Sequence, residues 1–414
     1  MRSYFYFFLI CSSFFLQGQY NSEFLNYSNF RTQVALTGEV EWNSNSLNNN
    51  FIQKVYRGGY LDNNSKGAVS SALLQQNIFG AINTYGLNAF LGKDNSRFDW
   101  FVGMKNQQYL NASFSKDLFQ LLVYGNKEFS GKYASISGAA FNYLKFQEVK
   151  LGFIWKNVDS VGKIGGALSF ISGQRLLQYK AIDTNFLYTA PDATQLLYQA
   201  NFSLAFSDTN NTGLFSSNGS GLSADVFVET PYQSRFGKSR FIITVNNLGF
   251  IRWNKNTIQY RVDSALNFKG IHVDNFLNLN DSTLNLINTD TVIGRVGERK
   301  KDYYNMNLPM NFLLIHETSF TNRYSLRLGL RQLFNANYKP YFFVENKFSF
   351  NSKLKGGFLL SYGGYGKISG GIYAEFTFQN QWVIRAGSNA LQGFTFYEKT
   401  FGGGAFVNLI RKFK

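Results

Sequence analysis

The sequence predicts an all-β chain, a transmembrane antiparallel up-and-down barrel of about 14 strands (range about 14 to 18) with one long insertion. Three observations carry this reading: an aromatic, glycine-rich composition, runs of strict apolar/polar alternation, and a recurring tight-turn spacing downstream of an export-like N-terminus. The 414 residues include 44 Phe, 25 Tyr, 38 Gly and 4 Pro, with 18% aromatic and 16% charged residues. Such a balance favours strands over helices and is far from that of a disordered basic chain. One cysteine and two histidines exclude a disulfide scaffold or a clustered zinc site. Mean hydropathy is −0.20, and only the N-terminus is continuously apolar, so a bundle of helical spans is excluded as well.

The first element is a targeting segment. Met1-Arg2-Ser3 precedes an apolar run from Tyr4 to Leu16 and then Gln17-Gly18-Gln19, the charge, apolar core and small residue of a secretory signal. Cleavage after Gly18 gives a signal peptide of residues 1–18 and a mature barrel of residues 19–414, and it removes Cys11. The expected location is the outer membrane of a Gram-negative bacterium.

The strands come next. From Tyr341, Phe342, Val344, Asn346, Phe348 and Phe350 share one parity, and Phe343, Glu345, Lys347 and Ser349 the other. Ile372, Ala374, Phe376 and Phe378 alternate with Tyr373, Glu375 and Thr377. Over Ser325 to Arg331, Leu326, Leu328 and Leu330 oppose Ser325, Arg327, Gly329 and Arg331. Successive side chains on a strand face opposite ways, so one face of each run suits lipid and the other a polar lumen. Tyr198 to Phe206, Ala224 to Val228 and Val149 to Trp155 repeat the pattern. Arg327, Arg331, Glu345, Lys347 and Glu375 are the lumen-facing candidates.

Four pentads share one spacing, a large residue, three polar ones and another large residue: Phe114 to Leu118, Phe320 to Tyr324, Phe350 to Leu354 and Phe378 to Trp382. Each is expected to be a tight hairpin braced by its bulky pair, above all Phe320 with Tyr324 and Phe378 with Trp382, on the periplasmic side. The irregular connections Ser207 to Gly221, Gly387 to Gly402 and the polar insertion 263–307 are the expected outer loops, the last a lid or a plug. Pro191, Pro231, Pro309 and Pro340 fall at or beside connections. Removing the signal leaves 414 − 18 = 396 residues, and about 22 to 28 residues per strand and connection gives roughly 14 to 18 strands.

No chemistry-bearing constellation emerges. His316 precedes Glu317 near Ser319, but strand neighbours point to opposite faces. His272 lies in the insertion, and the Asn/Asp-rich stretch Asp274 to Asp290 lacks the spacing of a calcium loop. Gly402-Gly403-Gly404 has no phosphate-loop context. The expectation is therefore no catalytic residue, no metal, no cofactor and no enzyme. The +16 balance is scattered, which fits lumen charges and lipid anchors better than nucleic-acid binding. Arg327 and Arg331 would favour anionic solutes, with Glu345 and Glu375 offsetting them.

Three segments carry a family resemblance: Gly125-Asn126 through Phe129 to Gly131, Asn247-Leu248-Gly249-Phe250-Ile251-Arg252-Trp253, and Asn307-Leu308-Pro309. They resemble a Bacteroidota outer-membrane barrel family of unknown function, from about Phe98 to the C-terminus. That family is distantly similar to the long-chain fatty acid transporter barrels and to the shuttle barrel of the type IX secretion system. The motif residues Gly249, Phe250, Arg252 and Trp253 are placed between strands. The function this implies is passive transport or binding of a small, hydrophobic or anionic solute in contact with outer-membrane lipid. Two alternatives stand beside it, a non-conducting barrel that docks or shuttles secreted proteins and a soluble β-rich adhesin.

Overall fold

A computed structural model describes residues 25, 32–92, 96–156, 162–192, 194–211, 213, 216–268, 297–379 and 381–413. The expected signal peptide, His272 and Asp274 to Asp290 lie outside the described residues. The strands in chain order are β1 (Thr32–Ser44), β2 (Gln76–Leu91), β3 (Phe98–Ser115), β4 (Lys132–Ser135), β5 (Ala140–Lys156), β6 (Lys163–Ala181) and β7 (Phe186–Thr189). They continue with β8 (Leu196–Phe206), β9 (Gly219–Ser234), β10 (Gly237–Trp253), β11 (Ile258–Phe268), β12 (Gly297–Lys301), β13 (Tyr304–Asn307) and β14 (Asn311–Ser319). The last are β15 (Tyr324–Leu333), β16 (Lys339–Ser349), β17 (Leu354–Gly364), β18 (Ile368–Phe378), β19 (Trp382–Ser388) and β20 (Gly402–Phe413).

Fourteen of these form a closed antiparallel wall, β1, β2, β3, β5, β6, β9, β10 and then β14 through β20. Closure is made by β1 against β20, from Thr32 opposite Phe413 to Asn43 opposite Gly402. Closing the sheet leaves no edge, so every wall strand has a neighbour on both sides for its backbone groups, which is the condition for spanning a bilayer with strands. Outward parity is apolar all the way round: Met104, Leu151, Leu168, Leu222, Phe250, Leu328, Phe358 and Ile372 are all exposed. In water each would forgo roughly 1.5–3 kcal/mol of burial, and lipid supplies the missing apolar surroundings. No helix among the described residues is long and apolar enough to cross a membrane.

The two ends of the barrel differ. One carries the turns at Phe320, Phe350 and Phe378 and both ends of the wall, and its aromatic rings form a ladder on the outer face. Phe320 and Tyr324 stack at 5.6 Å, Tyr324 meets Phe348 at 5.2 Å, and Phe378 lies parallel to Trp382 at 6.2 Å. Arg411 sits 4.6 Å over Trp382. This is the girdle expected where a barrel wall meets the headgroup region. The turns at Phe320 and Phe350 close alike, with the Phe amide donating to the carbonyl of Tyr324 (3.2 Å) or Leu354 (3.0 Å). His316 belongs to the same outer face, its Nε2 2.7 Å from the Tyr232 hydroxyl and its ring 4.8 Å from Phe241.

The pentad Phe114 to Leu118 is a correction: it is no hairpin and lies at the opposite, loop end. Ser115 accepts a hydrogen bond from the Leu118 amide at 3.0 Å and caps a helix over Lys116–Tyr124. A serine hydroxyl at this position satisfies an otherwise orphan helix N–H. Ser115→Ala is expected to lose about 1 kcal/mol of local stability, read as faster proteolysis at the loop end with an unshifted barrel unfolding midpoint. Two more helices precede it, Asn49–Arg57 capped by Asn48 and Asn63–Ala72 capped by Asp62. Numbered in chain order, these are α1 (Asn49–Arg57), α2 (Asn63–Ala72) and α3 (Lys116–Tyr124). Phe51, Val69 and Phe119 give this cap its own small core.

Part of the expected outer loops is also strand. β6 splits its partners, pairing with β9 over Lys163–Gly173 and with β8 over Leu177–Ala181. The extra strand carries β11 and β12 on one edge and β7 with β4 on the other, extending the sheet past the wall. The alternating run Tyr198 to Phe206 is thus in this extension, and the described ends of the 263–307 insertion lie in β11, β12 and β13.

Candidate functional site

Inward parity fills the lumen in successive levels. Nearest the turn end is a ring of charge centred on Glu317, which accepts from Arg327 Nε at 2.6 Å, Arg240 Nη2 at 2.9 Å and Lys347 Nζ at 3.0 Å. Arg327 Nη1 also donates to Glu345 at 3.3 Å, and Arg385 lies 3.7 Å from Glu345. Lys355 donates to Glu375 at 3.0 Å at the exposed rim. Pairing of this kind compensates each of the three carboxylates in place, since a buried charge without its partner is costly, and the five cations leave the ring net positive.

Above the ring is an apolar level that includes Phe90, Phe101, Phe227, Ile242, Leu313, Ile315 and Phe343, against which Leu25 of the N-terminal segment packs. Phe343 can lie across the wall because its cross-strand partner is Gly329; a Cβ there would sit 1.9 Å from the ring. An aromatic ring over a glycine fills space that two ordinary side chains could not share.

Midway along the lumen is a polar level. Lys150 is fully buried, 2.6 Å from Asp225 and 3.2 Å from Glu148, with Lys105 3.9 Å from Glu148. Gln107 donates to Glu148 at 2.9 Å and accepts from the Tyr109 hydroxyl at 2.7 Å. Asn247 enters this network through a bulge in β10, where the register slips between Val245 and Leu248. Its φ of +60° is a left-handed conformation that asparagine tolerates better than most residues. The bulge lets its amide N–H donate to Asp225 at 2.9 Å and its side chain to Gln107 at 3.2 Å. Across the lumen, Arg331 Nη1 donates to Glu41 at 3.1 Å and Nε to Asn311 at 3.2 Å.

A second apolar level closes the loop end: Ile82, Phe146, Ile171, Ile251, Trp253, Leu308, Tyr338 and Tyr365 are packed together. Tyr338 and Tyr365 come from short connections and meet edge to face at 4.9 Å. Tyr365 lies over Gly80, where a Cβ would be 2.1 Å from its ring. Beside them the free volume is only about 10 Å³, roughly one water. At the same end, a separate cavity of about 260 Å³ opens between the sheet extension and β13. Tyr260, Arg261, Lys300 and Gln178 line it, and Ala205 and Tyr304 form its floor while packing on the apolar level below. The Tyr304 hydroxyl donates to Gln178.

The model of a family of unknown function, DUF5723, matches residues 24–385. The chain belongs to the DUF5723 family. The matched span begins well before Phe98, so it takes in β1, α1, α2 and β2, which the sequence reading left outside the resemblance. No curated protein matches. Among solved structures, the TodX deltaS2S3 mutant monoaromatic hydrocarbon channel is similar at 9% identity and a TM-score of 0.46, covering 94% of this chain and 92% of its own. The Pseudomonas putida toluene transporter TodX is similar at 8% identity and 0.42, covering 95% and 94%. A Pseudomonas aeruginosa FadL homologue is similar at 11% and 0.40, covering 92% and 90%.

In this DUF5723 chain the lumen-facing candidates fall at two levels. Arg327, Glu345, Lys347 and Glu375 are in the turn-end ring, and Arg331 is in the mid-lumen level; Arg327, Arg331 and Glu345 are buried in ion pairs. The motif from Asn247 to Trp253 is placed within β10 rather than between strands. Its chemistry alternates: Ile251 and Trp253 are fully buried in the loop-end apolar level, while Phe250 faces outward. Arg252 stacks on Tyr303 at 4.3 Å, and the Gly249 carbonyl accepts from the Leu308 amide at 3.0 Å, joining the motif to Asn307-Leu308-Pro309. Among the described residues no group of three or more His, Cys, Asp or Glu could hold a metal ion. Sequence reasoning missed Glu41, Glu148, Lys150 and Asp225, although their inward parity within alternating runs was available.

Proposed function

We propose that this protein, exported by removal of residues 1–18, is an outer-membrane barrel that binds and passes a small molecule with an apolar body. One observation carries the reading: two levels of the lumen are built from packed aromatic and aliphatic side chains, whereas a water-filled porin has a polar interior. The 260 Å³ cavity is the loading position. Its tyrosines face an apolar body, and Arg261 and Lys300 face a polar or anionic head. Passage then requires the tyrosines below to move, so the resting state is closed to ions.

The test is solute flux into liposomes holding the refolded protein. Expected is faster entry of a monoaromatic solute such as toluene, little glucose entry and no steady ionic steps in a planar bilayer. Steady ion-selective steps with no preference for the apolar solute would make it a porin. A second reading, docking of secreted proteins, is favoured by the structured cap, where Tyr60 (85% exposed) and Leu122 (78%) stand free in a region with its own core. Silence towards both ions and solutes in folded protein moves the assignment there.

A further inference from the structure

Among the described residues, the charges of the mid-lumen polar level do not balance. Lys105, Lys150 and Arg331 face Glu39, Glu41, Glu148 and Asp225, a sum of 3 − 4 = −1. Three of the four carboxylates are matched by an ion pair. Glu39 is not: it is 3% exposed, and neither of its carboxylate oxygens lies within hydrogen-bonding reach of a donor. The charged groups facing it are Glu41 on its own strand, Arg331 on β15 and Lys105 on β3. Arg331 gives Nη1 to Glu41 and Nε to Asn311, and its Nη2, which is without a partner, does not reach Glu39; Lys105 lies 3.9 Å from Glu148. Its cross-strand partner on the same inward face is Thr84, 5% exposed, whose hydroxyl oxygen also has no partner. Side chains directly opposite on an antiparallel pair have Cβ atoms about 4.5–5.5 Å apart, so two unpartnered buried oxygen groups converge on one side of the lumen.

We propose that Glu39 and Thr84 form a binding site for a small cation, either a monovalent metal ion or the primary ammonium group of an organic molecule. A buried, ionised carboxylate is stable only when a charge or strong donors compensate it. With Glu39 ionised, the charge sum of the described residues leaves room for one positive charge. Oxygen ligands of this type suit a hard cation or an ammonium N–H alike. This goes beyond the transport reading and is independent of it, because its test reads stability rather than flux.

The experiment measures the thermal midpoint of the refolded full barrel, followed by heat-dependent gel mobility, at constant ionic strength. Choline chloride, whose bulky cation has no N–H, is replaced stepwise by sodium, potassium or methylammonium chloride. The expected result is a saturable rise in midpoint with at least one small cation. Sodium or potassium alone would name an inorganic ion, and methylammonium alone an organic ammonium group. Glu39→Gln should show no cation dependence, and its midpoint in choline should already reach that of the native protein at saturation. Thr84→Val should move the rise to several-fold higher cation concentration, and Glu375→Gln should leave it in place. Equal midpoints of the native protein in every salt, or the native cation dependence persisting in Glu39→Gln, would overturn the proposal. Sodium-23 line broadening by native protein, relieved by methylammonium but not by choline, tests the site without any variant.

Discussion

Lys150→Met is expected to destabilise the barrel by roughly 3–5 kcal/mol, the usual consequence of stripping a buried ion pair of one partner. Lys150 has no solvent exposure, and its ammonium lies within 3.2 Å of two carboxylates that are themselves fully buried. Methionine matches the length of the stem but removes the charge, so Glu148 and Asp225 are left close together with no ammonium between them. Lys105 lies 3.9 Å from Glu148 and recovers part of the loss. Asp225 is the worse case, keeping only the amide of Asn247 as donor. Urea unfolding in detergent or lipid gives the measurement. The double variant Lys150→Met with Asp225→Asn should regain a large part of the stability, because it removes the uncompensated charge as well. Lys355→Met, which breaks an exposed rim pair, should cost less than about 1 kcal/mol. Equal losses for Lys150→Met and Lys355→Met would mean that water reaches the mid-lumen level freely and that its ion pairs are not structural.

The wall of the barrel was legible because its two faces meet different surroundings. From Ile368 to Phe378, outward Ile372 and Phe376 alternate with inward Tyr373 and Glu375, so parity alone gives strand and facing. The turns at Phe320, Phe350 and Phe378 were legible because a chain that reverses over a few polar residues must resume alternation at once. Phe114 to Leu118 has the same spacing and became a helix start. What distinguishes it is downstream: Leu118, Phe119, Leu121 and Leu122 recur at helical spacing around Gln120 instead of alternating with polar residues. The lumen levels were legible only in part. Parity places Glu41 and Arg331 inside, but they are 290 residues apart in sequence. Nothing local says that they meet, or at what height along the axis. The same holds for Lys150 with Asp225, 75 residues apart, and for Asn247, whose entry into the network depends on a bulge that alternation does not reveal. The sheet extension escaped for a related reason. Tyr198 to Phe206 alternates as a wall strand does, and only its pairing, with the loop-end half of β6 and with β11, puts it beyond the wall.

The second large effect is on permeation. Tyr338→Ser together with Tyr365→Ser is expected to raise apolar-solute flux at least about tenfold, a fall of about 1.4 kcal/mol in the barrier, and to produce ionic steps absent from the native protein. These two rings meet at 4.9 Å in a part of the lumen with room for little more than one water. Both hang from connections of a few residues between wall strands, β15 to β16 and β17 to β18, so they can be removed without cutting a backbone pair. Gly80 beneath Tyr365 leaves a recess once the ring is gone. Such large-to-small changes in packed sites can cost several kcal/mol, so folding is checked first by heat-dependent gel mobility. Tyr362→Ser, on the outward face, controls for the loss of a tyrosine as such. If the folded double variant gives native flux, the tyrosines are not the barrier. The apolar level nearer the turn end then takes that role, and Phe343→Ala, which uncovers Gly329, should produce the rise instead. Flux that stays native in both variants would exclude the lumen as the route and leave the outer cap as the working surface of the protein.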